Sequence, residues 1–133
     1  MYLVDTSIWI DYFRNRDNSS LKFFIKVLEN AVPFGITSEI YQEILQGSKT
    51  KNDFKTLTKF LSKQRFFSPK DKVRTYQSAA ELYFLGRSSG ITIRSTIDCL
   101  IAQIAIEHNL ILLHNDKDFV LLNKISPKLK LAF

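Results

Sequence analysis

The sequence predicts an α/β fold in which a central parallel sheet carries helices on both faces, a three-layer α/β/α sandwich. Short apolar runs of strand length near Tyr2-Leu3-Val4, Ile36 and residues 110–113 alternate with stretches whose apolar residues recur at helical spacing. The connections between those runs are too long for hairpins, so the strands must pair in parallel through crossovers. No internal repeat, low-complexity tract or linker divides the chain, and residues 1–133 are expected to form a single domain.

Taken in order, Tyr2-Leu3-Val4 stops at Asp5, as a first buried strand would. Asp5-Thr6-Ser7 then opens a helix expected to turn Ile8, Trp9, Tyr12 and Phe13 inward. Asn18-Ser19-Ser20 caps a second helix with Leu21, Phe24, Ile25 and Leu28 at core spacing. Pro33-Phe34-Gly35-Ile36 reads as a turn followed by a second strand ending near Thr37. Residues 38–46 form a helix holding Ile40, Ile44 and Leu45, closed by Gly47. A basic helix over 52–62 has Phe54, Leu57 and Leu61 as its inner stripe, with Lys51, Lys55 and Lys59 every four residues outside.

Arg65-Phe66-Phe67 is a candidate third strand, and residues 70–87 a long helix with Val73, Tyr76, Ala80, Tyr83 and Phe84 inward. Ser95 caps the next helix, whose inner stripe is Ile97, Leu100, Ile101, Ile104 and His108, ended by Asn109. The apolar run 110–113 leads to Asn115 or Asp116, either of which caps a short helix carrying Phe119, Val120 and Leu122. Leu129-Lys130-Leu131 alternates like a last edge strand.

Length and composition, 133 residues with 45% hydrophobic and 24% charged, suit a folded domain rather than disorder. No apolar run approaches the roughly 20 residues of a membrane span, and the opening lacks signal-peptide character. Cys99 is the only cysteine, which excludes an internal disulfide and makes a cytoplasmic address the expectation. With one cysteine and with His108 and His114 the only histidines, a structural zinc site is not expected. Net charge is +6, yet residues 49–74 alone carry nine bases against two acids. A local basic surface beside a near-neutral remainder suits a polyanionic partner; its duller reading is a solvated lysine face.

In an open parallel sheet, ligands bind beyond the carboxyl ends of the strands, where strand order reverses. The first strand ends at Asp5 and the run 110–113 ends shortly before Asp116; Asp98 opens a helix and Glu43 follows the second strand. If the two strands are neighbours, four acids from four elements share one rim. Such a cluster is unfavourable without a cation, and oxygen-only ligands select Mg²⁺ or Mn²⁺. That chemistry suits in-line displacement at a phosphodiester, with the basic helix gripping the flanking backbone. Each acid also has a structural explanation. Asp5 and Asp116 can be helix caps, Ser95-x-x-Asp98 a capping box, Asp118 a first-turn acid facing the helix dipole, and Glu39–Glu43 a solvated pair.

Val4-Asp5-Thr6-Ser7, Ile36-Thr37-Ser38 with Glu43-Ile44-Leu45-Gln46-Gly47, Ile97-Asp98-Cys99-Leu100-Ile101-Ala102, and Leu113-His114-Asn115-Asp116-Lys117-Asp118-Phe119 resemble, in order, the four acidic motifs of PIN-domain nucleases. With the chain length, they are similar to VapC-type toxins of bacterial toxin–antitoxin pairs. The resemblance implies a Mg²⁺- or Mn²⁺-dependent endoribonuclease, a homodimer, and inhibition by a small VapB-type antitoxin. Carried over by position, the catalytic and metal-binding acids are Asp5, Glu43, Asp98 and Asp116, with Asp118 the alternative to Asp116. Thr6, Ser7 and Asn115 are the implied supporting groups, and Lys51, Lys55 and Lys59 the expected RNA contacts. Many relatives carry threonine where this chain has His114.

Other acidic α/β domains fit less well. A receiver domain needs adjacent acids after the first strand, where Asp5 stands alone. A haloacid-dehalogenase-like phosphatase needs a second aspartate where Ser7 stands. A non-catalytic nucleic-acid- or antitoxin-binding module of the same fold is the remaining alternative.

Overall fold

The computed structural model describes residues 1–133. Its sheet is built from β1 (Tyr2–Val4), β2 (Phe34–Gly35), β3 (Ile111–Leu113) and β4 (Lys130–Leu131), in the order β2-β1-β3-β4 and parallel throughout. The chain leaves β1 for one neighbour and later returns to its other side, so strand order reverses at β1/β3. Val4 pairs with Leu113 there, and the Asp5 amide donates to the Leu113 carbonyl at 2.9 Å. Leu3, Val4, Leu112 and Leu113 are fully buried, as the near-continuous apolar runs of a sheet covered on both faces require.

The helices form two groups. On one side α1 (Thr6–Phe13), α2 (Ser19–Glu29), α3 (Ser38–Gln46) and α4 (Lys51–Leu61) pack among themselves. On the other, α5 (Arg74–Ser88), α6 (Thr96–Glu107) and α7 (Lys117–Ile125) do the same. The result is the expected α/β/α arrangement. Local signals set most boundaries: Asn18, Thr37 and Thr50 cap their helices through side-chain oxygens. Asn109 adopts φ +54° just past α6, the left-handed turn that asparagine tolerates.

Several sequence expectations are corrected. Arg65-Phe66-Phe67 is not a strand of the sheet; Phe66 makes one isolated parallel bridge to Ile36. The segment lies so close to β2 that a Cβ on Gly35 would meet the Arg65 carbonyl and the Phe67 ring at 2.6 Å. The long helix begins at Arg74 rather than Lys70, because the Asp71 carboxylate turns the chain by accepting from the Val73 and Arg74 amides.

The inward faces differ more. In α1, Asp11 is buried while Tyr12 and Phe13 are exposed; in α2, Val27 takes the place expected of Ile25. Phe54 of α4 is exposed, leaving Leu61 as its buried anchor. In α5 the buried residues are Thr75, Ala79, Leu82 and Gly86, while Val73, Tyr76 and Phe84 face solvent. In α6, Cys99, Ala102 and Ala105 join Ile101 and Ile104, while Ile97 is exposed. In α7, Phe119 and Leu122 are buried but Val120 is not. For α5 the reason is close approach: its buried face carries the small residues Thr75, Ala79 and Gly86, and its backbone runs against α7. A Cβ on Gly86 would sit 2.7 Å from Ile125.

Candidate active site

The β1/β3 rim places Asp5 and Asp116 on adjacent crossings, since Asp5 directly follows β1 and Asp116 comes three residues after the end of β3. Asp5 caps α1, accepting from the Ser7 amide at 3.0 Å and the Ser7 hydroxyl at 2.6 Å through Oδ2. Asp116 caps α7, its Oδ1 accepting from the Asp118 amide at 2.9 Å. Both cap readings therefore hold for one oxygen of each carboxylate. Glu43, midway along α3, accepts from the Thr6 hydroxyl through Oε1 at 2.9 Å. Thr6 and Ser7 thus steady one acid each.

Asp98 differs. Ser95 stands at the N-cap of α6 but makes no side-chain cap bond, so the capping box does not form. Asp98 has no hydrogen-bond partner to stabilise its charge. Burial, then the charges of Asp5, Asp116, Glu43 and Asp118, raise its pKa to about 7. Asp5 is raised to about 6, chiefly by burial and against the pull of Ser7. Burial also raises Glu43, against its Thr6 bond. Glu43, Arg94, Ser95, Asp98, Asp116 and Asp118 line an open cleft of about 260 Å³ with no apolar residue, and Asp5 is buried beside it.

The structure thus brings Asp5, Glu43, Asp98 and Asp116 together, and separates Asp118 from them in kind. Asp118 is the first-turn acid of α7, as expected, but it is not solvated. It is buried, and its Oδ2 accepts from the backbone amide and Nε of Arg94 at 3.4 and 3.1 Å. Arg94 also lies 3.6 Å from Asp116 through its Nη2. Asn115 donates through its amide to the Ser7 hydroxyl at 2.9 Å. Its side chain donates to buried Asp11 at 2.8 Å, and Asn18 and Arg16 bind the same carboxylate. His114 is buried against Phe119, accepts the Asp116 amide through Nδ1, and leaves Nε2 without a partner. Burial holds it below the ordinary histidine range, so it is a neutral prop of the turn.

Arg94 and Asp11 were missed from sequence. Asp11 gave only a weak signal, as the one acid on the inner side of an apolar helix. Arg94 gave none beyond its place just ahead of Ser95. On α4, Lys55 and Lys59 line one shallow depression with Lys63 and Phe60; Lys51 lies outside it. Leu57 of α4 and Glu43 line a common groove with Arg14, whereas Lys55 and Lys59 lie on the far side of α4 from Leu57, in a depression that shares no residue with the acidic cleft.

The donor set fits a hard divalent cation: four carboxylates from four elements, one with no protein donor, in a solvent-open cleft free of sulfur and imidazole. No three of these acids stand close enough together to hold an ion by themselves, so a cation here would bind one or two of them directly and keep waters in its remaining positions.

A parallel α/β/α sheet with acids gathered at its switch point defines a PIN-like domain. The PIN domain family matches residues 2–125, and the chain belongs to that family. Within it, the chain is 33% identical over 127 residues to the VapC ribonuclease Mb1587 of Mycobacterium bovis, covering 95% of this chain and 94% of that protein. Ribonuclease VapC11 of Mycobacterium tuberculosis matches to the same extent. Among solved structures, VapBC2 from Rickettsia felis, bound to a DNA fragment from its promoter, superimposes with a TM-score of 0.71 at 25% identity. That match covers 98% of this chain and 96% of the other.

Proposed function

We propose that this chain is a divalent-cation-dependent endoribonuclease and the toxin of a toxin–antitoxin pair, acting as one domain over residues 1–133. The observation that carries the catalytic part is Asp98. A carboxylate without a donor, surrounded by other carboxylates on a solvent-open rim, is costly to the fold unless something cationic engages it. The names of the VapC relatives supply the substrate class, and the VapBC complex supplies the kind of partner.

Asp5, Glu43, Asp98 and Asp116 would hold the Mg²⁺ or Mn²⁺ ion. Such an ion lowers the pKa of a bound water and offsets charge on a leaving oxygen. The chain's residues do the rest. Ser7, Thr6 and the Asp118 amide each hold one oxygen of Asp5, Glu43 and Asp116, fixing the carboxylates before substrate arrives. Asn115 ties the turn after β3 to α1 through Ser7 and Asp11. Lys55, Lys59 and Lys63 share a separate basic depression that would take RNA phosphates farther along the strand. Water as nucleophile leaves 5′-phosphate and 3′-hydroxyl ends.

Two partners complete the reading. A VapB-type antitoxin covers the cleft, and a second copy of the chain docks on the α5–α6 face. There Tyr76, Ala80, Tyr83, Ile97 and Leu100 line an apolar groove of about 370 Å³. The decisive experiment is Mg²⁺-dependent cleavage of RNA by purified protein, beside Asp98→Asn. Loss of cleavage in the variant and in chelator supports the reading. RNA left intact by the wild type would favour the non-catalytic binding module, and equal cleavage by both would expose a contaminating nuclease.

A further inference from the structure

We propose that Arg94 is the phosphate-binding residue of the cleft, and that Asp118 is a positioning residue that aims it rather than a ligand of the cation. The inference deepens the nuclease reading and rests on it. Arg94 is the only base among the six residues that line the acidic cleft. An RNA phosphate approaching Asp98, Asp116 and Glu43 meets carboxylates first, and one fixed cation at the wall offsets that repulsion.

The anchoring is asymmetric. Asp118 is 3% exposed in its side chain whereas Arg94 is 66% exposed. One buried oxygen accepts from both the backbone amide and Nε of Arg94, so the inner edge of the guanidinium is held. Nη2 stands 3.6 Å from Asp116, longer than a hydrogen bond, and Nη1 has no partner within the chain. The outer fork is therefore presented to the cleft in the planar, two-donor form that matches a phosphate. Using Asp118 as a cation ligand would strip Arg94 of its anchor, and the carboxylate would have to leave its buried place. Asp116, whose Oδ1 accepts from an amide and faces Arg94 Nη2 at 3.6 Å while Oδ2 is unbonded, needs no such rearrangement.

The experiment measures two bindings separately. Mn²⁺ is titrated calorimetrically without RNA, and a short single-stranded oligoribonucleotide is titrated by fluorescence anisotropy in chelator at several salt concentrations. Arg94→Ala should weaken RNA binding about tenfold or more and reduce the salt slope by about one, with Mn²⁺ binding unchanged or tighter. Arg94→Lys should keep the slope while recovering only part of the affinity, because an ammonium has no fork. Asp118→Asn should weaken RNA binding in the same direction and leave Mn²⁺ binding intact. The proposal is overturned if Asp118→Asn lowers Mn²⁺ affinity about tenfold with RNA binding preserved. It is equally overturned if Arg94→Ala leaves RNA affinity and slope unchanged. Arg94 is largely exposed, so its variants are expected to fold even where Asp118→Asn does not. Asp98→Asn, read by cleavage, tests the underlying nuclease reading separately, and its failure would leave the two binding readouts interpretable.

Discussion

Asp98 concentrates the chemistry of this chain in one carboxyl group. Its pKa in the folded chain, about 7, lies above the ordinary value of 3.8. The proton is therefore held more tightly in the folded state. The stability linked to that proton is full below about pH 4 and is lost as pH rises through 7. Asp98→Asn removes this dependence. The variant should match the wild type in thermal midpoint near pH 4 and exceed it by a few degrees at pH 8 without added cation. A midpoint that falls at pH 8 would show that Asp98 supports the fold. The same sign governs cation binding, which must expel the proton. Mn²⁺ affinity should rise from pH 5.5 to about 7 and then level off, with proton uptake by buffer visible in calorimetry. A flat profile would remove Asp98 from the cation's ligands.

At the scale of elements, α1 and α4 show how a face is chosen. Asp11 turns inward because it can gather Asn115, Asn18 and Arg16, tying α1 to the turn after β3. Asp11→Ala leaves the Asn115 and Asn18 amides without their acceptor, a cost of about 1–3 kcal/mol. It should lower cleavage while leaving Mn²⁺ binding nearly intact; an unchanged rate would make this network structural only. On and just past α4, replacing Lys55, Lys59 and Lys63 together by Ala should flatten the salt dependence of RNA binding by up to about three units. An unchanged slope would take the helix out of the substrate path. The lysine periodicity was visible in the sequence, but its useful register was not, because Lys51 falls outside the depression that the other three share.

For the molecule as a whole, the exposed aromatic face of α5 is the largest departure from the pattern expected of an amphipathic helix. Tyr76 and Phe84 were expected inside but are exposed, Tyr83 packs half-buried against the core, and α5 buries Thr75, Ala79, Leu82 and Gly86. Turning the small side inward lets α5 lie close on α6 and α7 and leaves an apolar groove outside. If that groove receives a second copy, Tyr76→Glu with Ile97→Glu should convert a dimer to a monomer in sedimentation while leaving the far-ultraviolet spectrum unchanged. A dimer that survives both changes must use another face.

Much of the fold and the acid set could be read from local chemistry. Val4-Asp5-Thr6-Ser7 announces a strand ending in a cap, and the run before His114-Asn115-Asp116 announces another. The crossover lengths require parallel pairing. These features depend on a few adjacent residues, and the backbone obeys them locally. Tertiary structure alone decided what the acids do beside one another. It left the Ser95–Asp98 capping box unmade, and it tied Asp118 to Arg94, 24 residues away, and Asn115 to Asp11, 104 residues away. It also chose the buried face of α5. Such choices depend on which surfaces approach closely enough to exclude water and bring charges together. Sequence spacing carries the period of a helix, whereas its orientation and its electrostatic neighbours belong to the assembled chain.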